Sequence, residues 1–430
     1  MIKKIQNFFF RFDLFLYKKF GSHKTTKILE NDKINQLIFS YLNSNEKQDT
    51  IKFVGGCVRK ALNGEKIDDI DLATSLEPEE VKSILINKDI KVIDTGITHG
   101  TVTAIIKNKS FEITTLRKDL QTDGRHAKVV YTNNWKEDSL RRDFTFNAIY
   151  SDINGRIFDP LNGTDDLKNG KIKFIGLAEE RIQEDYLRIL RYFRFFIQYS
   201  KVDHQPEIIR SIKKNINGVN KISRERIFDE LKKILKVKNL YNLFLNKESK
   251  KIILGIFPQF KYFERLKMLN NLSSKLLKQY DTNLILSLLI VDNSNEHEYF
   301  CHKYKVSKNI KNKLSNMSLN YKNLTDENFY TKGNIKKLIY LSNKNEVKDL
   351  LLFSICVNKN IKVDIIEKLI KFTNTCDIPK FPISGNTLKD YGYESGVELG
   401  EKLKKLEKKW IQNNFIIDKE IIEKSLGKKI

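Results

Sequence analysis

The sequence predicts an α+β protein in which a small mixed sheet comes first and a longer, mostly helical part follows. Between about residues 50 and 175, short β-branched runs alternate with turn residues. After about residue 176, apolar residues recur with the 3.6-residue period of helices, and strand signals are few. The chain has 430 residues, of which 40% are hydrophobic, and this is enough apolar material for more than one core.

The predicted sheet begins with the β-prone run at residues 51–54. Gly55 and Gly56 follow it and lead into a short predicted helix that Asn63 and Gly64 close. Further on, residues 101–107 and 111–116 are β-branched runs separated by the polar residues 108–110. This pattern predicts a β-hairpin within the sheet.

The rest of the chain is predicted to be helical. Periodic apolar segments lie at residues 180–199, 227–235, 262–277, 334–341 and 397–411. The proline-containing stretch 380–385 predicts a break before a final helical segment. Residues 7–20 are aromatic but carry Arg11 and Asp13, so we expect an amphipathic accessory helix and neither a signal peptide nor a membrane span.

Charge and cysteine usage limit the classes of partner and compartment. Seventy-eight Lys and Arg against 54 Asp and Glu leave a net charge of +24, which favours a polyanionic partner such as nucleic acid. A lysine-rich solvated surface is an equally valid interpretation of composition alone. The four cysteines, at positions 57, 301, 356 and 376, are too far apart for a Cys-x-x-Cys zinc site, and we expect a reducing, cytoplasmic environment.

A phosphate-binding turn is predicted at Gly55 and Gly56. A strand, a glycine turn and a helix in succession allow backbone amides to approach anion oxygens, and Arg59 can add a charged hydrogen bond. A tight turn without a ligand uses the same residues, so the pattern alone is weak.

Two carboxylates follow at Asp69 and Asp71. Strand alternation would place both on one face, where a pair of divalent metal ions would relieve their repulsion. Glu112, on the second strand of the predicted hairpin, is a candidate third acid. A solvated strand edge is the alternative, and the upstream glycine turn favours the metal site.

Two further sets of charged residues are candidates for nucleotide binding. Arg142 can contact a triphosphate, and Asp143 either a ribose hydroxyl or Arg142 itself. A salt-bridged turn explains the same spacing. Downstream, Asp185 and three arginines are spaced three residues apart on the predicted helix, a stripe that can contact a base edge and phosphates but is also typical of a solvated basic face. The arginines are Arg188, Arg191 and Arg194.

Taken together, these motifs resemble the bacterial tRNA nucleotidyltransferase and poly(A) polymerase family, the class II branch of the polymerase-beta-like superfamily. Five blocks match in order over residues 50–235, and the segment 381–410 is similar to the ending of CCA-adding members. The blocks are Gly55-Gly56-Cys57-Val58-Arg59 with Asp69 and Asp71; residues 141–148; Phe158-Asp159-Pro160 with Gly163, Asp166 and Leu167; Glu184-Asp185 with Arg188 and Arg191; and residues 223–227.

The resemblance implies a function and a set of roles. It implies template-independent addition of C, C and A to tRNA from CTP and ATP, with two Mg²⁺ ions held by Asp69 and Asp71. Triphosphate binding is implied for Gly56, Arg59 and Arg142, and nucleobase selection for Asp185 and Arg188 with Arg191 and Arg194 nearby. Gly55 and Asp143 are further candidates for nucleotide binding. Gly124 and Arg125 match the family's flexible loop. The tRNA acceptor end and backbone are the implied RNA contacts, and no protein partner is evident.

The resemblance also implies a division of the chain into five segments. These are an accessory segment at 1–30, a catalytic head at 31–175, a neck at 176–245, a helical body at 246–375 and a helical tail at 376–430. One departure from the family pattern stands at Lys60, where an Asp is usual. A poly(A) polymerase and an enzyme that adds only CC or only A are the alternatives within the enzyme class, and an inactive RNA-binding protein is a remote one.

Overall fold

The computed structural model confirms the predicted α+β class. It describes residues 29–43, 49–96, 100–123, 126–272, 281–390, 392–417 and 422. The chain divides into two compact units, Met1–Lys238 and Asn239–Ile430. The predicted head and most of the predicted neck therefore share one unit. The predicted accessory helix at residues 7–20 lies outside the described residues.

The first unit contains a seven-stranded mixed sheet with the order β3-β4-β5-β2-β1-β8-β9. Strand β2 runs parallel to β5, and the other neighbouring strands are antiparallel. A separate antiparallel ribbon is formed by β6 and β7. The strands are β1 Ile51–Val54, β2 Ile70–Thr74, β3 Lys91–Gly96, β4 Thr101–Ile106, β5 Lys109–Thr115, β6 Arg117–Asp123, β7 His126–Tyr131, β8 Tyr150–Ser151 and β9 Ile157–Phe158.

The predicted hairpin is confirmed, although its turn is one residue shorter than expected. Ile106 pairs with Lys109, so the loop consists of Lys107 and Asn108 alone. Both loop residues have positive φ, 47° and 65°. This backbone geometry matches the twist of two antiparallel strands, and Asn tolerates it well.

The first unit also contains nine α-helices in its described residues, some between the strands and others after the last strand. All four residues of β1 are buried, including Lys52, which stands between apolar neighbours. The helices of this unit are α1 Lys33–Leu42, α2 Gly56–Leu62, α3 Pro78–Ile86, α4 Trp135–Leu140, α5 Gly163–Asn169, α6 Ala178–Glu184, α7 Leu187–Tyr199, α8 Pro206–Asn215 and α9 Arg224–Leu235.

The prediction of one continuous helix over residues 180–199 is wrong. Asp185 has extended backbone angles, φ −153° and ψ 104°, and separates α6 from α7. Its side chain accepts a hydrogen bond from the backbone N–H of Leu187 at 3.2 Å. A short carboxylate that satisfies the amides of a following helix favours such a break, and periodicity alone does not reveal it.

The described part of the second unit is helical throughout. Its helices are α10 Asn242–Leu245, α11 Lys247–Ile256, α12 Arg265–Asn271, α13 Thr282–Ile290, α14 Glu296–Lys303, α15 Lys308–Tyr321, α16 Lys332–Leu341, α17 Lys344–Val357, α18 Val363–Thr375, α19 Gly385–Asp390 and α20 Val397–Gln412. The predicted helices at 334–341 and 397–411 are confirmed. In the ranges described, no helix has the length and apolarity that crossing a membrane requires.

One buried acid in the second unit lacks full compensation. Asp349 on α17 is 6% exposed, and Lys313 approaches it at 3.9 Å while bonding Asp281 at 2.7 Å. Glu346 lies one turn before Asp349 on the same helix. Burial and the charge of Asp281 together raise the pKa of Asp349 to about 7.

Asp349→Asn is expected to stabilise the protein at alkaline pH. Because the folded state holds the Asp349 proton up to about pH 7, its stabilising effect is present at low pH and is lost as pH rises from about 4 to above 7. Urea unfolding should therefore show a gain on the order of 4 kcal/mol at pH 8, since the shift from 3.8 to about 7 is about three pKa units of about 1.4 kcal/mol each, and almost no gain at pH 4. Asp377→Asn, at an exposed position, is the control. An equal gain at both pH values would contradict this prediction.

Candidate active site

The glycine turn between β1 and α2 forms the base of the site. Gly55 has φ +68°, a conformation that side chains disfavour, and its N–H donates to the carbonyl of Ile149 at 3.3 Å. A Cβ on Gly55 would lie 3.7 Å from Nη1 of Arg142, and one on Gly56 would lie 3.8 Å from Oδ2 of Asp71. Because the two glycines have no side chains, the backbone of the turn lies close to both the Arg142 guanidinium and the Asp71 carboxylate.

Three carboxylates are brought together beside this turn. Asp71 on β2 pairs in register with Glu112 on the parallel strand β5, and Asp69 immediately precedes β2. Burial, and then the charges of Glu112 and Asp69, raise the pKa of Asp71, while Arg142 and Arg59 oppose the shift. The protein's own arginines only partly offset the repulsion among these carboxylates, so a cation would be favoured here.

The donor set fits a magnesium ion that takes part of its coordination from a substrate. Asp69, Asp71 and Glu112 lie near one another, but among the residues described no three His, Cys, Asp or Glu side chains converge closely enough to hold a metal by themselves. Mg²⁺ commonly binds one or two protein carboxylates and completes its octahedron with water and phosphate oxygens. Asp69 and Asp71 supply hard oxygen ligands of this kind, beside a turn suited to phosphate.

Arg142 is held by a buried acid that the sequence analysis did not single out. Asp138 on α4 is fully buried, and its Oδ2 accepts hydrogen bonds from Nη2 of Arg142 at 2.9 Å and from the hydroxyl of Tyr150 at 2.7 Å. Its Oδ1 accepts from Nε of Arg141 at 2.8 Å. Burial alone would raise the pKa of Asp138, but the charges of Arg142 and Arg141 outweigh it and keep the pKa well below its usual range.

Asp143 pairs with Arg191, which corrects one of the two interpretations of this residue. Its Oδ2 accepts from Nε of Arg191 at 2.7 Å, and its Oδ1 accepts from Nδ2 of Asn147 at 2.8 Å. The predicted contact with Arg142 is absent among the described residues, because Arg142 is turned toward Asp138. The nearby positive charge of Arg191 outweighs burial and lowers the pKa of Asp143.

Arg59 is more buried than a simple phosphate ligand would be. Its Nε donates to the hydroxyl of Tyr199 at 3.2 Å, and its Nη1 donates to the side-chain oxygen of Asn147. The guanidinium lies 4.8 Å from the ring centre of Phe195. Arg59 therefore links α2 to α7, and Nη2 is the nitrogen that lies toward Gly56.

The residues predicted to select the base are each held by a partner. Oδ2 of Asp185 accepts from Nη2 of Arg226 at 2.7 Å, and Nη1 of Arg188 donates to Oε2 of Glu184 at 2.5 Å. Arg188 also donates to the carbonyl of Arg181 at 2.8 Å. These partners sit within sequence blocks that were recognised, but spacing does not reveal which residues they contact.

Helix α9 carries two of the groups that hold the site residues. Arg226 contacts Asp185, and one turn later Glu230, which is 1% exposed, accepts from Nε of Arg194 at 2.5 Å. In the first ion pair α9 supplies the arginine, and in the second it supplies the acid. A shift of α9 along the segment 185–194 would therefore break both pairs. Arg194 also packs 4.1 Å from the ring centre of Phe195.

The predicted flexible loop is not tested by the structure, and the unusual residue Lys60 has an acidic partner. Gly124 and Arg125, which match the flexible loop, lie outside the described residues, between β6 and β7. Lys60, at the position where the family has Asp, donates to Oδ2 of Asp68 at 3.1 Å. Its charge is thus partly balanced by the residue immediately before Asp69.

Comparison with known proteins identifies relatives along most of the chain. Residues 51–173 match a family model described as "Poly A polymerase head domain", and residues 204–263 match "Probable RNA and SrmB- binding site of polymerase A". The mitochondrial CCA tRNA nucleotidyltransferase 1 of Homo sapiens is 35% identical over 86% of this chain and 85% of its own length. A CCA-adding enzyme of Ligilactobacillus salivarius is 34% identical over 86% of this chain and 90% of its own length.

A solved structure shares the fold. The crystal structure of the Bacillus stearothermophilus CCA-adding enzyme in complex with CTP superposes with a TM-score of 0.67 at 24% identity. The match covers 91% of this chain and 95% of that one. This similarity supports the predicted fold class along nearly the whole chain.

Asp138→Ala is expected to lower both folding stability and activity. Removing one partner of a buried ion pair leaves the other charges uncompensated, at a cost of about 3–5 kcal/mol. Asp138→Asn retains the shape and one acceptor, so it should lose less stability. Thermal unfolding and nucleotide incorporation report the two effects separately. A stable Asp138→Ala protein with full activity would show that Arg142 does not depend on this acid.

Proposed function

Because the chain belongs to the CCA tRNA nucleotidyltransferase family, we propose that it adds C, C and A to the 3′ end of tRNA from CTP and ATP without a nucleic-acid template. The observation that carries the proposal is the meeting of three carboxylates with a bare glycine turn and Arg142. This combination suits transfer of a nucleotidyl group, which needs a cation, a phosphate cradle and a fixed positive charge.

A divalent metal belongs to nucleotidyltransferase chemistry of this type, and we propose two Mg²⁺ ions here. Asp69 and Asp71 would hold them, with Glu112 as a further candidate ligand. When bound, such ions activate the attacking hydroxyl and stabilise the leaving pyrophosphate. The raised pKa of Asp71 means that a cation would also secure its ionised form.

The chain's own residues would orient the triphosphate. The N–H of Gly55 is used by the carbonyl of Ile149, so Gly55 would contribute close approach and Gly56 its amide to a phosphate oxygen, while Arg142 supplies a charge fixed by Asp138. Asp143 fixes Arg191, and both are candidates for contacts with the nucleotide. Attack of the tRNA 3′ hydroxyl on the α-phosphorus would then proceed in line with the departing pyrophosphate.

Base selection is proposed for Asp185 and Arg188. Cytosine and adenine both present an amino donor next to a ring-nitrogen acceptor on the pairing edge, whereas uracil and guanine present a carbonyl next to an N–H. A carboxylate accepts from the amino group, and a guanidinium donates to the ring nitrogen. One acid and one arginine can therefore accept both correct bases and reject the other two. Arg194 and the loop at Gly124 and Arg125 are further candidates for this step.

The remaining segments are proposed to hold the tRNA. The body at 246–375 and the tail at 376–430 would contact the acceptor region through phosphates, consistent with the net charge of +24. Such binding should weaken steeply with added salt. A cytoplasmic location stays a prediction from cysteine usage, and relatives include mitochondrial proteins.

Extension of a tRNA that ends at its discriminator base tests the proposal. Purified protein with Mg²⁺ should add two nucleotides with CTP alone and three with CTP and ATP together. A long A tail would indicate a poly(A) polymerase, the alternative that the name of the matched head-domain family keeps open. A stop after CC or after a lone A would indicate a divided pathway, and no extension would favour a binding protein.

Asp71→Asn is expected to abolish extension without unfolding the protein. Loss of one charged ligand should reduce the rate at least about a hundredfold, because metal stabilisation of the transition state is worth several kcal/mol. Folding stability should be equal or higher, since the substitution relieves repulsion from Glu112 and Asp69. Asp68→Asn, three residues earlier in the loop before β2 and paired with Lys60, is the matched control. Retained extension by Asp71→Asn would exclude the proposed metal site.

Arg226→Ala is expected to impair nucleotide selection. Without this partner the Asp185 carboxylate is free to rotate, so KM for CTP and ATP should rise by about tenfold, equivalent to about 1.4 kcal/mol. Misincorporation of UTP and GTP should also increase, which a purely structural role would not produce. Arg224→Ala on the same helix is the control, because no ion pair of Arg224 occurs among the described residues. An unchanged base preference would show that Arg226 does not position Asp185.

A further inference from the structure

The second unit contains a cavity of about 580 Å³ that no step of the proposed reaction uses. One wall comes from the turn after α11 and includes Gln259 and Lys261. The other wall comes from the start of α14 and includes Glu296 and Tyr299. A cavity of this volume is large enough for a planar heterocycle.

Gln259 gives the cavity a polar interior. Its side chain is 6% exposed, and its Oε1 makes no hydrogen bond within the part of the chain that the structure describes. An unsatisfied buried acceptor costs about 1–3 kcal/mol. Gln259 lines the cavity, and the terminal torsion of a glutamine side chain is soft, so its amide can reorient toward a ligand there. A ligand with an N–H donor would then satisfy it.

The rim of the cavity suits a nucleic-acid base. Tyr299 is 56% exposed, which leaves an aromatic ring available for stacking. Lys261 lies at the same rim, 3.0 Å from Glu296, and provides a positive charge that a phosphate can compete for. The RNA-binding family match at residues 204–263 includes both Gln259 and Lys261.

We propose that this cavity binds one unpaired nucleobase of the RNA substrate. The base would stack on Tyr299 and donate its exocyclic amino group to Oε1 of Gln259, while Lys261 contacts an adjacent phosphate. Adenine, cytosine and guanine carry such an amino group, whereas uracil has only its ring N–H to donate, so the site favours the first three bases. The inference rests on the proposed function, because it takes tRNA as the substrate, and it adds a base contact to a body otherwise expected to hold phosphates.

Gln259→Leu and Tyr299→Ala test the cavity in the full-length protein. Each should raise KM and Kd for tRNA lacking its CCA end roughly 5- to 150-fold, the range expected for loss of one stacked base. The maximal rate and KM for CTP should not change. Gln259→Leu should also raise the Tm of the free protein, because it removes an unsatisfied acceptor. Leu319→Ala, at a 79% exposed position of the same unit, is the control.

Direct binding measurements separate the possible sources of the base. If AMP or CMP binds wild-type protein but not Gln259→Leu, while the tRNA Kd is unchanged by the substitution, the cavity takes free nucleotides and the RNA proposal is overturned. Unchanged tRNA affinity in both variants overturns it as well. The binding assay does not require catalysis. A wild-type protein that binds tRNA but adds no nucleotide would therefore contradict the proposed function and leave this test valid.

Discussion

The candidate site depends on the pairing of partly buried arginines with buried acids. Arg142 is held by Asp138, Arg191 by Asp143 and Arg194 by Glu230. Burying a charge is costly unless a partner and hydrogen bonds compensate it, so each pair must form for the first unit to fold. The same pairs leave the guanidinium groups no freedom to collapse onto Asp69 or Asp71. Folding thus separates the cations that would hold phosphate from the anions that would hold metal.

This separation has an electrostatic consequence for the reaction. Arg59, Arg191 and Arg194 all lie within 6 Å of the ring centre of Phe195, at distances of 4.8, 5.6 and 4.1 Å. Only Asp143 and Glu230 pair directly with members of this group in the described structure, so one positive charge remains in excess. A preorganised charge in a poorly solvated place interacts more strongly with an anion than a flexible surface lysine does. This excess positive charge therefore favours binding of a triphosphate beside α7, and the ion pairs of Arg191 and Arg194 need not break for it to bind.

Much of the fold could be predicted because the relevant signals are local. Strand β1, the β4–β5 hairpin and the helix at 397–412 follow from periodicity and turn residues. The break at Asp185 was missed, because a side chain that caps a following helix leaves the apolar period intact. The site residues were recognisable as motifs, and the family resemblance is confirmed by relatives that cover most of the chain. Arg226 and Glu230 contact their partners across helices, and no spacing in one sequence encodes such contacts. Asp138 lies four residues before Arg142, a local spacing that the sequence offered, but spacing alone does not show that the pair is buried.

This difference between local signals and long-range contacts also explains why the sequence reveals more about the first unit than about the second. The first unit concentrates charged groups whose types are dictated by chemistry, so their order along the chain is informative. The second unit holds its interior together mainly with interchangeable apolar residues, and a polar group within it stands out only once its surroundings are known. Nothing in the sequence marks Gln259 or Asp349. Among the residues that the structure describes, Oε1 of Gln259 makes no hydrogen bond, and the charge of Asp349 is only partly compensated. Because such groups cost folding free energy, their presence in an otherwise apolar body points to a purpose other than packing.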